Sequence, residues 1–272
     1  MHLFRNGYRH DSVPALFGSR ELEAYEALRV TYGIDLALVI GYEGDGIDPG
    51  NNDYILELSR SRSWLRTVAY VDPRAPCDPA AIEVLLQRGH CGLSLYVTDA
   101  DRAEALLRWP SAAWDILQER RAIISFNARP AAIDLLRPRL SAFPGVVFLF
   151  SHLGLPGVLA PDAERTAVEE RLASLLPLAE LPNCYVKISG LYGTSEPAYA
   201  YPHPGAYHAI RIVVDEFGPT RCVWGSDFAP SLEFVSFPQT IYIPGFSELP
   251  EAQKHLIFRA NLVSLLGHSG TK

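Results

Sequence analysis

Two residues in this sequence stand where chemistry is usually done. His152 closes the apolar run VVFLFSH, residues 146–152, and Asp227 closes RCVWGSD, residues 221–227. A histidine and an aspartate ending two strands of one barrel supply a general base and its orienter, or two ligands for a metal ion. Other apolar runs end in polar residues too. His2 lies near the first, Tyr42 after the second, Asp72 after the third, Tyr96 in the fourth, Asn127 at the fifth and Ser189 at the seventh. Each alone has a plainer reading. Asp227 or Asn127 can cap the helix after it, His152 can cap or pack, and Lys187 can pair with a buried carboxylate. His10, His90, His203, His208, His255 and His268 fall in loops, helices or the tail and are expected to carry no role for the most part.

The elements that must position these residues alternate along the chain. The strand candidates are 35–42, 65–72, 91–97, 122–127, 146–152, 184–190 and 221–227, with HLF at 2–4 as a truncated eighth. Helical patterns fill 19–31, 52–61, 78–88, 100–107, 111–120, 130–141, 163–180 and 204–217, and a last one, about 248–266, closes the chain. Strands alternating with helices predict a parallel sheet with right-handed crossovers. Eight such units make an α/β fold of the (β/α)8 TIM-barrel type, with the chemistry where the strands end. A doubly wound sheet would carry G-x-G-x-x-G after an early strand. GYEGDGIDPG instead runs G-x-x-G-x-G into Pro49, and its acidic residues Glu43, Asp45, Asp48 and Asp53 miss the calcium-loop spacing. It reads as a solvated loop.

Alternation within strands says which way side chains point. In CGLSLYV, Gly92, Ser94 and Tyr96 share a face opposite Leu93 and Leu95; in CYVKISG, Tyr185, Lys187 and Ser189 oppose Val186 and Ile188. The greasier side of a barrel strand faces the helices, so Ser94, Tyr96, Lys187 and Ser189 are predicted to point inward. A lysine there needs a partner.

Size and charge bound the function. The chain has 272 residues and a net charge of −7, which argues against nucleic acid or an anionic membrane as a partner. Residues 1–272 read as one domain, large enough to fold without disulfides or a structural metal. Cys77, Cys91, Cys184 and Cys222 show no C-x-x-C spacing and read as reduced thiols of a cytoplasmic protein. MHLFRNGYRHD has no signal-peptide core. The longest uncharged stretch, 144–161, holds three prolines and three glycines, unlike a membrane helix.

The segments FPGVVFLFSHLGLPG (143–157), LPNCYVKISGLYG (181–193) and FGPTRCVWGSDFAP (217–230) resemble the amidohydrolase-related family of the amidohydrolase superfamily, which includes lactonases and decarboxylases. The resemblance implies a (β/α)8 barrel and, in many members, one divalent metal held by H-x-H on the first strand, a fifth-strand His and the eighth-strand Asp. Asp227 matches that Asp, His152 the sixth-strand His near substrate, and His2 the second His of H-x-H. The chain departs from the pattern elsewhere: the first His would precede Met1, Asn127 replaces the fifth-strand His, and Ser94 replaces an Arg that grips a carboxylate. A catalytic zinc normally takes three good protein ligands, so no tightly bound cofactor is favoured, and zinc or manganese on His2 and Asp227 is the alternative.

Three functions stay open. The first is a hydrolase, or related lyase, acting on a small cyclic ester, amide or carboxylated substrate. In it Asp227 is general base, His152 polarises the carbonyl, Asn127 stabilises the oxyanion, and Lys187, Tyr96, Ser94, Ser189 and Tyr192 bind substrate. The second is a metal hydrolase with an altered site. The third is a degenerate barrel that binds a ligand or protein partner without turnover. Relatives often self-associate, so a homo-oligomer is expected as one option.

Overall fold

The computed structural model describes residues 1–8, 16–44 and 47–268. Its strands are β1 (Ala37–Ile40), β2 (Leu65–Tyr70), β3 (Gly92–Val97), β4 (Ile123–Ala128), β5 (Val147–Phe150), β6 (Cys184–Ile188) and β7 (Cys222–Trp224). All pair in parallel, each with its neighbour in sequence order. Crossover helices cover the outside: α1 (Glu21–Thr31), α2 (Asn51–Arg60), α3 (Pro79–Arg88), α4 (Ala100–Leu107), α5 (Ser111–Glu119), α6 (Pro130–Ala142), α7 (Arg165–Arg171) and α8 (Ala206–Phe217). Short helices α9 (Phe237–Ile241) and α10 (Glu251–His255) then lead through a π-helical turn, Leu256–Ala260, into α11 (Asn261–His268). The seven parallel strands curl as in a truncated barrel of the (β/α)8 type, with no strand ahead of β1 among the described residues.

Local chemistry sets the boundaries. Asp78 accepts a hydrogen bond from the Ala80 N–H, Pro79 opens α3, and Gly89 closes it in the left-handed conformation. Asp99 caps α4 by accepting from the Arg102 N–H. The pattern over 163–180 does not continue as one helix. It breaks into α7 and a 3-10 turn at Leu176–Glu180, where Pro177 has no N–H to donate to an α-helical ladder.

Two apolar layers result. Leu93, Leu95, Phe126, Phe148 and Val186 pack outward against Trp114 of α5, Leu136 of α6 and Val213 of α8. Inside, Leu38, Ile40, Val68, Ile123, Leu149 and Val223 meet Leu265 and Leu266 of α11, which stopper the barrel floor. Polar side chains are left for the mouth.

The HLF segment forms no strand of its own, because its backbone bonds go to a turn and to side chains: the Leu3 carbonyl accepts from Asn51 Nδ2 at 2.8 Å. The Ile40 N–H donates to the Met1 carbonyl at 2.8 Å, and the His2 N–H donates to the Phe228 carbonyl. The Met1 ammonium also donates to the Leu38 carbonyl at 3.4 Å, so residues 1–3 lie between β1 and the turn after β7. Glu21 anchors the adjoining residues, accepting from the Phe4 N–H at 2.7 Å and the Tyr8 N–H at 2.6 Å. His10 and Asp45 lie outside the described residues. No described helix is long and apolar enough to cross a membrane.

Candidate active site

The backbone at both key strand ends is strained. His152 sits at φ 54° and Asp227 at φ 51°, a left-handed conformation that costs a non-glycine residue about 1–3 kcal/mol and persists only where packing enforces it. Gly190, just past β6 at φ 59°, makes room for the histidine, since a Cβ there would collide with the His152 ring. Ser189 lies beside it, with Oγ 3.0 Å from His152 Nδ1. That bond fixes the ring and leaves Nε2 facing Asp227.

Asp227 is the centre of the arrangement. Its Oδ1 is 3.7 Å from His2 Nε2 and 4.0 Å from His152 Nε2. Its Oδ2 accepts a 2.7 Å hydrogen bond from the Tyr192 hydroxyl. Across the barrel, Lys187 Nζ donates to Ser125 Oγ at 2.8 Å, and the Asn127 side chain hydrogen-bonds Tyr96. Ser94, Tyr96, Asn127, His152, Lys187, Ser189, His2 and Asp227 all line one cavity of about 20 Å³. Beside it a mouth groove of about 710 Å³ runs past Asn127, His152 and Tyr192 to Arg129 and Arg171. The cavity holds little more than one water, and the groove holds a small molecule.

Burial sets the protonation states. It pushes His2 down to about 3, although the Asp227 charge resists, and it lowers His152 in the same way. Both imidazoles are neutral near neutral pH. Burial also drives Lys187 down to about 8 against the pull of Asp227. On Asp227 burial works upward, but His152, His2 and the Tyr192 hydroxyl outweigh it and hold the carboxyl below its ordinary value. Tyr192 is raised well above its usual range, first by burial and then by Asp227.

The structure thus brings together every sequence-predicted site residue. Tyr192 comes from the groove side, bonded to Asp227 rather than lining the small cavity. Two other strand-end residues go elsewhere. Asp72 pairs with Arg74 at 2.9 Å near the surface, and Tyr42 packs on the Tyr96 ring at 4.5 Å. His90 and His203 are buried against Thr67 and Ser195. Sequence reasoning missed Ser125, the partner of Lys187. Its signal was present, because Ser125 and Asn127 alternate in AIISFN as Ser94 and Tyr96 do in CGLSLYV. All four cysteines are free.

The donor set fits a tightly held divalent ion poorly. Among the described residues no group of three His, Cys, Asp or Glu is arranged to hold one. His2 Nδ1 is buried without a protein partner, whereas a metal-bound histidine ordinarily donates its second N–H to a fixed acceptor. Asn127 is a neutral donor, and the Lys187 ammonium shares the cavity.

This barrel, with its polar side chains gathered where the strands end, is that of a known family. The amidohydrolase family model matches residues 22–267, and the chain belongs to that family. It is 25% identical over 186 residues to an L-fucono-1,5-lactonase of Burkholderia ambifaria, covering 65% of this chain and 60% of that protein. An L-fucono-1,5-lactonase of Burkholderia multivorans is 27% identical over 149 residues, or 53% of this chain and 47% of that protein. The chain thus spans about half to three fifths of the curated relatives' length. Among solved structures, a zinc-bound amidohydrolase from Burkholderia multivorans superposes with a TM-score of 0.72 at 18% identity, covering 90% of this chain and 87% of that one. Amidohydrolase 2 from Bifidobacterium longum subsp. infantis gives 0.61 at 19% identity, covering 94% and 90%.

Proposed function

We propose that the chain is a hydrolase that opens a small cyclic ester, with Asp227 as general base and His152 assisting. The observation that carries this reading is the convergence of His2, His152 and Tyr192 on one buried carboxylate at the strand ends. The lactonase names of two relatives support the substrate class.

Asp227 is ionised at neutral pH and His152 is neutral, so both can accept a hydrogen bond from a water held between Oδ1 and Nε2. As the water oxygen attacks the ring carbonyl, its proton passes to this pair. The carbonyl becomes an oxyanion, which the Asn127 amide and the Lys187 ammonium stabilise. Collapse breaks the bond between the carbonyl carbon and the ring oxygen. The leaving oxygen then takes the proton back, giving a hydroxy acid and the starting enzyme. Because Asp227 is held below its ordinary value, its work is to fix and polarise the water more than to be strongly basic. No step requires a metal.

Asp227→Asn keeps the shape and removes the charge. Lactone opening followed by acid release is expected to fall by about a hundred-fold or more, with an unchanged circular dichroism spectrum. Full activity in that variant overturns the assignment. A second reading, a barrel that binds its ligand without turnover, draws on the mouth groove of about 710 Å³. Calorimetric binding of a lactone that is never opened would favour it.

A further inference from the structure

Lysine is rare in this chain, where three lysines stand against 21 arginines. Lys254 lies in α10 and its Nζ pairs with Glu251 at 2.7 Å, and Lys272 lies outside the described residues. Among the described residues Lys187 is the only lysine inside the barrel. It stands on β6 and lines the small cavity together with Asp227 and His152. The difference between the two cations is chemical. A guanidinium keeps its charge at any ordinary pH, whereas an amine can lose its proton and become a nucleophile.

The surroundings of Lys187 suit the nucleophile. A buried ammonium with a purely structural role is ordinarily held by a carboxylate. Asp227 Oδ1 instead faces the imidazoles of His2 and His152, and Lys187 Nζ has the neutral Ser125 hydroxyl as its hydrogen-bond partner. Burial brings the amine to about 8. About a tenth of it is then neutral near pH 7, roughly a few hundred-fold more than for an ordinary lysine. Access comes from the mouth, since Asn127 and His152 line both the cavity and the groove of about 710 Å³. A molecule seated in that groove can reach past them with one carbonyl group, which is what a cavity of about 20 Å³ has room for.

We propose that Lys187 is an imine-forming nucleophile and that the site takes a small aldehyde or ketone through the mouth groove. The Nζ lone pair attacks the carbonyl carbon, the C–N bond forms, and the carbonyl π electrons move to oxygen. One Nζ proton passes to that oxygen by way of His152 Nε2, giving a carbinolamine. The C–O bond then breaks as the nitrogen lone pair forms C=N. The departing hydroxide takes the second Nζ proton and leaves as water, so each imine releases one water and no further reactant is consumed. This activity goes beyond the lactonase reading and does not depend on it.

The probe is hydroxyacetone with cyanoborohydride, which reduces an imine to a stable secondary amine and spares the free ketone. In the full chain near pH 7, peptide mapping by mass spectrometry is expected to find the adduct on Lys187 about ten-fold ahead of Lys254 and Lys272. In urea strong enough to unfold the chain, that preference is expected to vanish. Lys187→Arg keeps a cation in place and is expected to leave only the slow labelling elsewhere; should it fail to fold, the parent's folded and unfolded maps decide alone. Labelling of Lys187 no faster than of Lys254, or an equal preference in the unfolded chain, overturns the proposal. A chain that traps hydroxyacetone on Lys187 and opens no lactone keeps the proposal and overturns the lactonase reading. One that opens lactones while Lys187 stays unlabelled does the reverse.

Discussion

Replacing Lys187 by methionine is expected to strengthen the fold and weaken the site. Burial brings the ammonium from its ordinary 10.5 down to about 8, with Asp227 opposing. At about 1.4 kcal/mol for each tenfold change in proton affinity, that difference is worth about 3 kcal/mol. The sign follows from the direction. A cation with a depressed folded value contributes its full stability only above 10.5, where it is neutral folded or unfolded. That contribution is lost as pH falls through about 8, so at neutral pH Lys187 costs the fold about 3 kcal/mol at most. The side chain is only partly screened from solvent, and methionine gives up the 2.8 Å bond to Ser125, worth about 1 kcal/mol. The net gain is therefore about 1–2 kcal/mol, or roughly 2–6 °C in melting temperature for a chain of this size. Calorimetric scans of both proteins at neutral pH and near 10.5 measure it. The stabilisation should be present at neutral pH and turn into a cost of about 1 kcal/mol at the alkaline end, where only the lost Ser125 bond remains, while lactone turnover drops throughout. A variant that melts lower than the parent at neutral pH, or gains equally at both, refutes the reasoning.

Three further outcomes test the geometry. Gly190→Ala should cost about 1–2 kcal/mol for the left-handed backbone and reduce kcat as well, because the new Cβ displaces the His152 ring; unchanged melting and kcat would sever Gly190 from the site. Tyr192→Phe removes the hydrogen bond to Asp227 Oδ2, leaving burial freer to raise that carboxyl, so the acid limb of the kcat/KM profile should move to higher pH; a stationary limb counts against Asp227 as base. Treatment with a chelator should leave melting temperature and turnover as they were, and a fall in both, restored by zinc or manganese, would contradict the reading of the donor set.

The parts of this protein that were legible in sequence are those governed by local pattern. Parallel strands buried on both faces must be short apolar runs, which is why Val147–Phe150 and Cys184–Ile188 stand out in the text of the chain. Alternation placed Ser94, Tyr96, Lys187 and Ser189 on the inside because a strand has no other way to arrange its side chains. What could not be read depends on objects distant in sequence. Nothing in HLF says that its backbone will bond to a turn and to side chains instead of forming a strand, because that needs the positions of β1, Asn51 and Phe228 together. The protonation of Asp227 is similar. Burial alone argues for a raised carboxyl, and only the placement of Tyr192, 35 positions earlier, with the two imidazoles reverses the direction.

The site also concentrates features that a fold selected for stability alone would avoid. Two left-handed non-glycine residues, a buried ammonium and a buried carboxylate surround one small cavity. His2 Nδ1 and Ser94 Oγ, both in residues that line it, are buried with no protein partner. Buried polar groups are ordinarily paired, and each exception calls for a reason. Four more such atoms lie elsewhere, at Arg29, His90, Trp114 and Ser231, so what sets the cavity apart is that two of them stand there beside a buried ammonium and a buried carboxylate. A remnant barrel under no selection for ligand would be free to replace Lys187 with an apolar residue and gain stability at once. The presence of that lysine, next to an aspartate whose carboxyl is held below its ordinary value, is the physical argument that favours the proposed hydrolase over a binding-only barrel.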